Sequence, residues 1–196
     1  MALGVPSEKI FTTGIPTDAK FAQNPDKSAL KKKLGLQDGI LTILITTGSF
    51  GMGPVGELIK LLERYQLLIV CGNNKDLYER LKPLAQKNVH ILGLVDNMDE
   101  LMSVSNVMVT KPGGLSISEA LVKGLPMIFF SAIPGQETNN IKVLSTYEVS
   151  PGQSSLPQIV ETIHEWDSNP KDLDALRLRL SELSKPNAVA DIIALL

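Results

Sequence analysis

Short apolar runs alternate with helix-patterned segments along this chain, and polar or glycine-bearing breakers separate them. Ile40 to Thr46, Leu67 to Cys71, Val89 to Leu92, Val107 to Val109 and Met127 to Phe130 read as buried strands. Between them, Val55, Leu58, Ile59, Leu62 and Tyr65 recur at a helical period, as do Leu77, Leu81, Leu84 and Ala85. A short helix is expected around Met98 to Met102, and another runs from Ser116 to a basic last turn and terminator at Lys123-Gly124. The remainder reads as a helical tail: Leu156 to Trp166, Leu173 to Leu183 and Ala188 to Leu196. Strands that alternate with helices bury their apolar faces as a parallel sheet covered on both sides, because parallel neighbours need a crossover between them. The expected fold class is therefore α/β, one doubly wound parallel sheet with a helical C-terminal tail.

Composition narrows what such a domain can bind. At 196 residues, 43% hydrophobic and 20% charged, the chain can close one sizeable core. Its 19 basic and 21 acidic residues leave a net charge of −2, so no electrostatic footprint for nucleic acid is present. Lys31-Lys32-Lys33 reads as the solvated face of a short helix, with contact to an anionic membrane surface as the alternative. No apolar stretch approaches the ~20 residues of a bilayer span, and no signal peptide is visible. Cys71 is the only cysteine and reads as a buried, inert thiol; His90 and His164 lack metal-ligand spacing. A reducing, cytoplasmic setting is expected.

The stretch Thr110-Lys111-Pro112-Gly113-Gly114-Leu115-Ser116-Ile117-Ser118-Glu119-Ala120 carries the clearest chemistry. A strand ends in a Pro-Gly-Gly turn and a helix begins at once. Glycines let backbone N–H groups approach a ligand, and a helix N-terminus suits a phosphate. Glu119 stands where a sugar hydroxyl could be held. Ser116-x-x-Glu119 also matches a capping box, which starts helices in proteins of every function.

Position favours a ligand. Gly48 to Pro54, Gly93 to Asn97, Lys111 to Ser116 and Pro134 to Asn140 each follow a strand, so all reach the sheet edge where ligands of open α/β sheets bind. The glycines of Gly48-Ser49-Phe50-Gly51-Met52-Gly53 fit neither the dinucleotide fingerprint nor a P-loop. Cys71-Gly72-Asn73-Asn74 offers no acid for a dinucleotide ribose, which disfavours NAD. Pro134-Gly135-Gln136-Glu137-Thr138-Asn139-Asn140, read as a polar loop, has the amides and carboxylate that match a hexose.

In that order, these segments resemble the C-terminal half of a GT-B glycosyltransferase. They are most similar to the family of monogalactosyldiacylglycerol synthases and processive diacylglycerol glucosyltransferases, relatives of the peptidoglycan GlcNAc transferase. The resemblance runs from about Gly4 to about Leu144 and includes Gly14-Ile15-Pro16, Gly51-Met52-Gly53 and Gly93-Leu94-Val95-Asp96-Asn97-Met98. It implies a Rossmann-like GT-B half: residues 1–20 connect two domains, and residues 21–196 bind a nucleotide-sugar donor. Leu94 and Val95 would then meet uracil, Gly113, Gly114, Leu115 and Ser116 the diphosphate, and Glu119 the ribose. Gln136, Glu137 and Asn140 would contact the hexose, with Gly48, Gly51 and Gly53 as a glycine loop at the cleft. Thr138 and Asn139 depart from the family pattern, which has a second acid and a glycine there.

The resemblance further implies an inverting hexosyltransferase with a UDP-sugar donor, no cofactor and no obligatory metal. A lipid such as diacylglycerol would be the acceptor, and the whole protein would sit peripherally on the membrane. Acceptor groove and catalytic base would belong to an N-terminal domain or a partner chain, so no catalytic residue is expected here. This chain would bind donor and transfer nothing alone. The abrupt start favours an excised half; a complete subunit of a two-chain GlcNAc transferase and half of a nucleotide-sugar epimerase are the alternatives.

Overall fold

In the computed structural model, residues 4–47 and 53–196 are described. Their strands are β1 (Thr42–Thr46), β2 (Gln66–Val70), β3 (Val89–Leu92), β4 (Val107–Thr110) and β5 (Met127–Phe129). They form one five-stranded sheet in the order β3-β2-β1-β4-β5, and every pair is parallel. The order reverses between β1 and β4, so the crevice beyond their C-terminal ends is the topological switch point. The doubly wound α/β expectation holds.

The helices are α1 (Lys27–Leu34), α2 (Val55–Leu61), α3 (Lys75–Leu81), α4 (Met98–Val104), α5 (Gly114–Lys123), α6 (Gln136–Thr146), α7 (Leu156–Ser168), α8 (Pro170–Leu183) and α9 (Ala188–Ile193). Side chains alternate across each strand, which divides the core into two clusters. Leu44, Leu68, Val70, Met108 and Phe129 pack on one face with residues of α4, α5 and α6. Ile43, Ile45, Leu67, Ile69, Val107 and Val109 pack on the other with residues of α2, α3 and α7. Burial on both faces explains why β1, β2 and β4 read as continuous apolar runs and not as alternating ones. Helix α8 spans both clusters, placing Leu173 in one and Leu176 and Leu180 in the other. The helical tail is thus part of the core.

Two local expectations need correction. The segment from Pro134 to Asn140 is not a loop throughout, because α6 begins at Gln136. Gly135, at φ 105°, makes the turn that only glycine adopts readily, and Thr138 Oγ1 both accepts from Gly135 N–H and donates to Gly135 O. Helix α5 begins at Gly114 and not at Ser116, with Gly113 as its N-cap. Ser116 is therefore the third helical residue, and no Ser116–Glu119 capping box forms.

The N-terminal segment is packed down on this unit. Phe21 is buried, and Lys20 Nζ donates to Asp96 O at 2.8 Å. The lysine run forms ion pairs, Lys31 with Asp38 at 3.3 Å and Lys33 with Glu100 at 2.8 Å, as a solvated helix face would. Among the described residues, no helix is long and apolar enough to cross a membrane. Cys71 is fully buried and burial pushes its thiol up, in keeping with an inert core cysteine.

Candidate functional site

The turn from β4 into α5 is built to leave backbone donors free. Lys111 O accepts the Gly113 N–H at 2.9 Å, which tightens the turn. The first intrahelical bond of α5 runs from Ile117 N to Gly113 O at 3.0 Å. The N–H groups of Gly114, Leu115 and Ser116 thus lie ahead of the helical ladder, at the positive end of the macrodipole. Gly113, grouped with them on sequence, shapes the cap while its own N–H is already used. Gly114 is closely approached by the N-terminal segment: a Cβ there would stand 3.1 Å from Ile15 Cδ1.

Helix α6 is tied to the same turn. Asn140 Nδ2 donates to Pro112 O at 2.9 Å, and Gln136 Nε2 lies 4.0 Å from where a Gly114 Cβ would be. Gln136 is exposed. Half-buried Glu137 accepts from Ile133 N–H through Oε2 at 2.7 Å. Asn140→Ala is expected to cost about 1 kcal/mol of stability through loss of its hydrogen bond. Asn140→Asp should cost more, since a carboxylate would face a carbonyl oxygen; urea unfolding of both variants is the check.

On the other side of α5's start lies a cavity of about 210 Å³ at the sheet edge. Val70, Leu94 and Met98 give it apolar walls, while Asn73, Ser116 and Glu119 bring polar groups. Thr46, whose Oγ1 is hydrogen-bonded to Thr110 Oγ1 at 2.6 Å, closes its floor with Met102. Burial pushes the Glu119 carboxyl above its usual range; Lys20 pulls it back and Asp18 adds to the rise. Among the described residues, the Glu119 carboxylate makes no hydrogen bond of its own. A half-buried acceptor facing a small cavity can hold a ligand hydroxyl. A larger cavity of about 730 Å³, lined by Ile15, Gly114, Asn140 and Val143 among others, lies beside the same turn.

The structure brings Leu94, Ser116 and Glu119 to one cavity, and Gly114 and Asn140 to its neighbour. Val95 packs against the core and lines neither, and Leu115 is exposed at 54%. Gly53 sits against the Phe130 ring, 2.5 Å from where its Cβ would be, with φ 143°. Gly48 and Gly51 lie outside the described residues. Sequence reasoning missed Thr46, Asn73, Met102 and the charged residues Asp18 and Lys20, while Met98 belongs to the Gly93-to-Met98 segment it had singled out. Asn73 could have been found, since it follows a strand on the ligand edge. His90 lies within β3, where burial lowers its pKa, and the His164 ring packs 5.9 Å from that of Tyr65; neither lines the Glu119 cavity.

Known proteins share sequence and fold with most of this chain. Residues 42–185 match the family model described as Glycosyltransferase family 28 C-terminal domain. A processive diacylglycerol beta-glucosyltransferase of Staphylococcus saprophyticus subsp. saprophyticus is 39% identical over 146 residues, covering 71% of this chain and 37% of that protein. Another, of Staphylococcus haemolyticus, is 32% identical over 186 residues, 91% of this chain and 48% of that protein. The chain thus spans half or less of the length of these curated relatives. Among solved structures, WaaG, a glycosyltransferase involved in lipopolysaccharide biosynthesis, superposes with a TM-score of 0.67 at 20% identity, over 92% of this chain and 54% of that one. At that identity the superposition shows a shared fold.

Proposed function

The chain belongs to the glycosyltransferase family 28 C-terminal domains, and from that membership we propose that it is the donor-binding half of a lipid hexosyltransferase. The observation that carries this reading is the pairing of α5's free N–H groups with the Glu119 cavity on the same sheet edge. Gly114, Leu115 and Ser116 donate to the diphosphate, and Glu119 accepts from the ribose hydroxyls. The base enters between Leu94 and Met98, in a space whose small volume suits a pyrimidine better than a purine. Gln136, Asn140 and the free oxygen of Glu137 meet the hexose. The N–H groups stabilise the departing diphosphate as negative charge develops on it.

The donor is a UDP-sugar. The acceptor is a lipid such as diacylglycerol, by likeness to the processive diacylglycerol beta-glucosyltransferases. Residues 1–20 lead from an N-terminal domain that supplies the acceptor groove and the base; the base deprotonates the acceptor hydroxyl, which attacks the anomeric carbon with inversion. The chain alone binds donor and turns nothing over. The whole enzyme works peripherally at the membrane.

Calorimetric titration of the chain with UDP and with ADP tests the reading. UDP is expected to bind at least about tenfold more tightly, the discrimination that one or two well-placed contacts provide. Equal affinities, or none for UDP, would overturn it.

A further inference from the structure

The larger cavity beside the start of α5 is a groove, and donor binding leaves most of its lining unused. Helix α5 lines it with Gly114, Ile117, Ser118 and Leu121, and α6 with Asn140, Val143, Leu144 and Tyr147. Both sets recur at i, i+3, i+4 and i+7, so each is one stripe along one helix face. Seven residues of helix make each stripe about 10 Å long. Both begin at the same end, because Asn140 Nδ2 lies 3.9 Å from where a Gly114 Cβ would be. Leu183 of α8 supplies one side wall, and Thr12, Gly14 and Ile15 of the N-terminal segment supply another. A second cavity of about 180 Å³ shares Ile15, Leu121 and Leu183 with the first and extends it. Ile117 and Leu144 are buried in the walls, whereas Val143 at 55% and Tyr147 at 53% stand exposed. Apolar side chains left open around a concave surface mark a binding site. Charge in the lining is confined to Arg179 and Glu182 of α8 and to Lys185 just past it.

We propose that this groove holds an acyl chain of the lipid acceptor. The inference rests on the donor and acceptor readings above, which give the groove its direction. It starts at Gly114 and Asn140, where the diphosphate and the hexose meet the domain, and runs away from them along α5 and α6. The acceptor hydroxyl must stand at the anomeric carbon, so the hydrocarbon attached to it finds an apolar channel leading off from that point. Past the first turn the stripes are apolar apart from the Ser118 hydroxyl, which suits a hydrocarbon and leaves a charged ligand without a partner. Arg179, Glu182 and Lys185 are exposed, so they keep their charges in water while their stems cover apolar surface at the rim. Arg179 faces Glu148 there at 3.9 Å. The volume of about 730 Å³ lies within the usual range of small-ligand pockets. A channel walled by three helices and the N-terminal segment admits one flexible chain, and a folded partner does not fit inside it. The base and the headgroup site stay with the N-terminal domain, and this half contributes the subsite for the chain.

The test titrates the full chain with monoacylglycerols of octanoyl, decanoyl and dodecanoyl length, each below its micelle concentration. One molecule should bind per chain. Affinity should rise by roughly fourfold for each methylene buried, then level off once the hydrocarbon outgrows the groove. Val143→Asp sets a charge in mid-groove at an exposed position, so the protein should melt like the parent while acylglycerol binding falls by at least about tenfold. Tyr147→Asp, one turn on and equally exposed, should do the same, and neither should change UDP affinity. Leu61→Asp, a like change at a 50% exposed residue of α2 on the opposite face of the sheet, should leave acylglycerol binding intact. Equal loss in all three variants, or affinity that climbs with length and never levels off, assigns the binding to general surface adsorption and overturns the groove. Sedimentation of the parent and Val143→Asp reads the other occupant. A parent dimer that the variant makes monomeric gives this face to a second copy, and also overturns the proposal. UDP binding with no acylglycerol binding overturns the groove and leaves the donor reading standing. Acylglycerol binding that levels off with length and is lost in Val143→Asp, with no UDP binding, supports the acyl groove and rejects the donor reading.

Discussion

Glu119→Ala is expected to weaken UDP binding by roughly ten- to a hundredfold, as loss of hydrogen bonds to a charged acceptor predicts. The fold should not suffer. Among the described residues the carboxylate makes no hydrogen bond, and burial disfavours its charged form. Its folded pKa therefore lies above the unfolded value. The folded state then binds more protons than the unfolded one between the two values, and stability from this group falls as pH rises through that window. At neutral pH the ionised group costs stability, so Glu119→Ala and Glu119→Gln should melt at or slightly above the parent temperature. Binding has the opposite dependence. The ionised form is the better acceptor for ribose hydroxyls, so UDP affinity should fall as pH drops through the raised pKa, at a pH where an ordinary glutamate is still charged. Titrations between neutral pH and pH 5 would show this. Affinity that is unaffected by Glu119→Ala would remove the ribose role.

Phe129→Ala should produce the largest loss of stability in the domain, about 3–5 kcal/mol, from lost transfer energy and the cavity left behind. Phe129 is fully buried at the sheet edge and contributes to the cluster beneath α5 and α6. Its carbonyl also accepts from Ser154 N–H at 2.8 Å, which anchors the chain leading into α7. A domain whose whole stability is of order 5–15 kcal/mol would stay folded only marginally. Urea unfolding reads the effect as a lower midpoint at constant slope. A loss under 1 kcal/mol would mean that the site collapses freely around the truncation.

The strands were legible because each is short, mostly apolar and bounded by turn residues, and β1, β2 and β4 are buried on both faces. Their ends moved by a residue or two only. Helix α6 was hidden for the opposite reason. Its first residues, Gln136-Glu137-Thr138-Asn139-Asn140, are polar, and only Ile141 and Leu144 of α6 are buried. A one-sided helix whose apolar residues come late has no period to detect in its first turn. The start of α5 was placed at Ser116 because a capping box is a local pattern. The cap went to Gly113 because the preceding turn, closed by Lys111 O, sets the helical frame.

Local chemistry in the chain therefore determined the α/β class, the ligand-bearing edge, the glycine turn and the acid at Glu119. These depend on residue type and on spacing within about ten positions, which any reader of the chain can measure. Tertiary structure alone decided what stands beside them. Strand order put β1 next to β4, and register then made neighbours of Thr46 and Thr110 across 64 residues. Chain return brought Asp18 and Lys20 to Glu119, and Asn140 to Pro112. Such pairings arise from how the faces of a sheet are filled, and no local spacing encodes them.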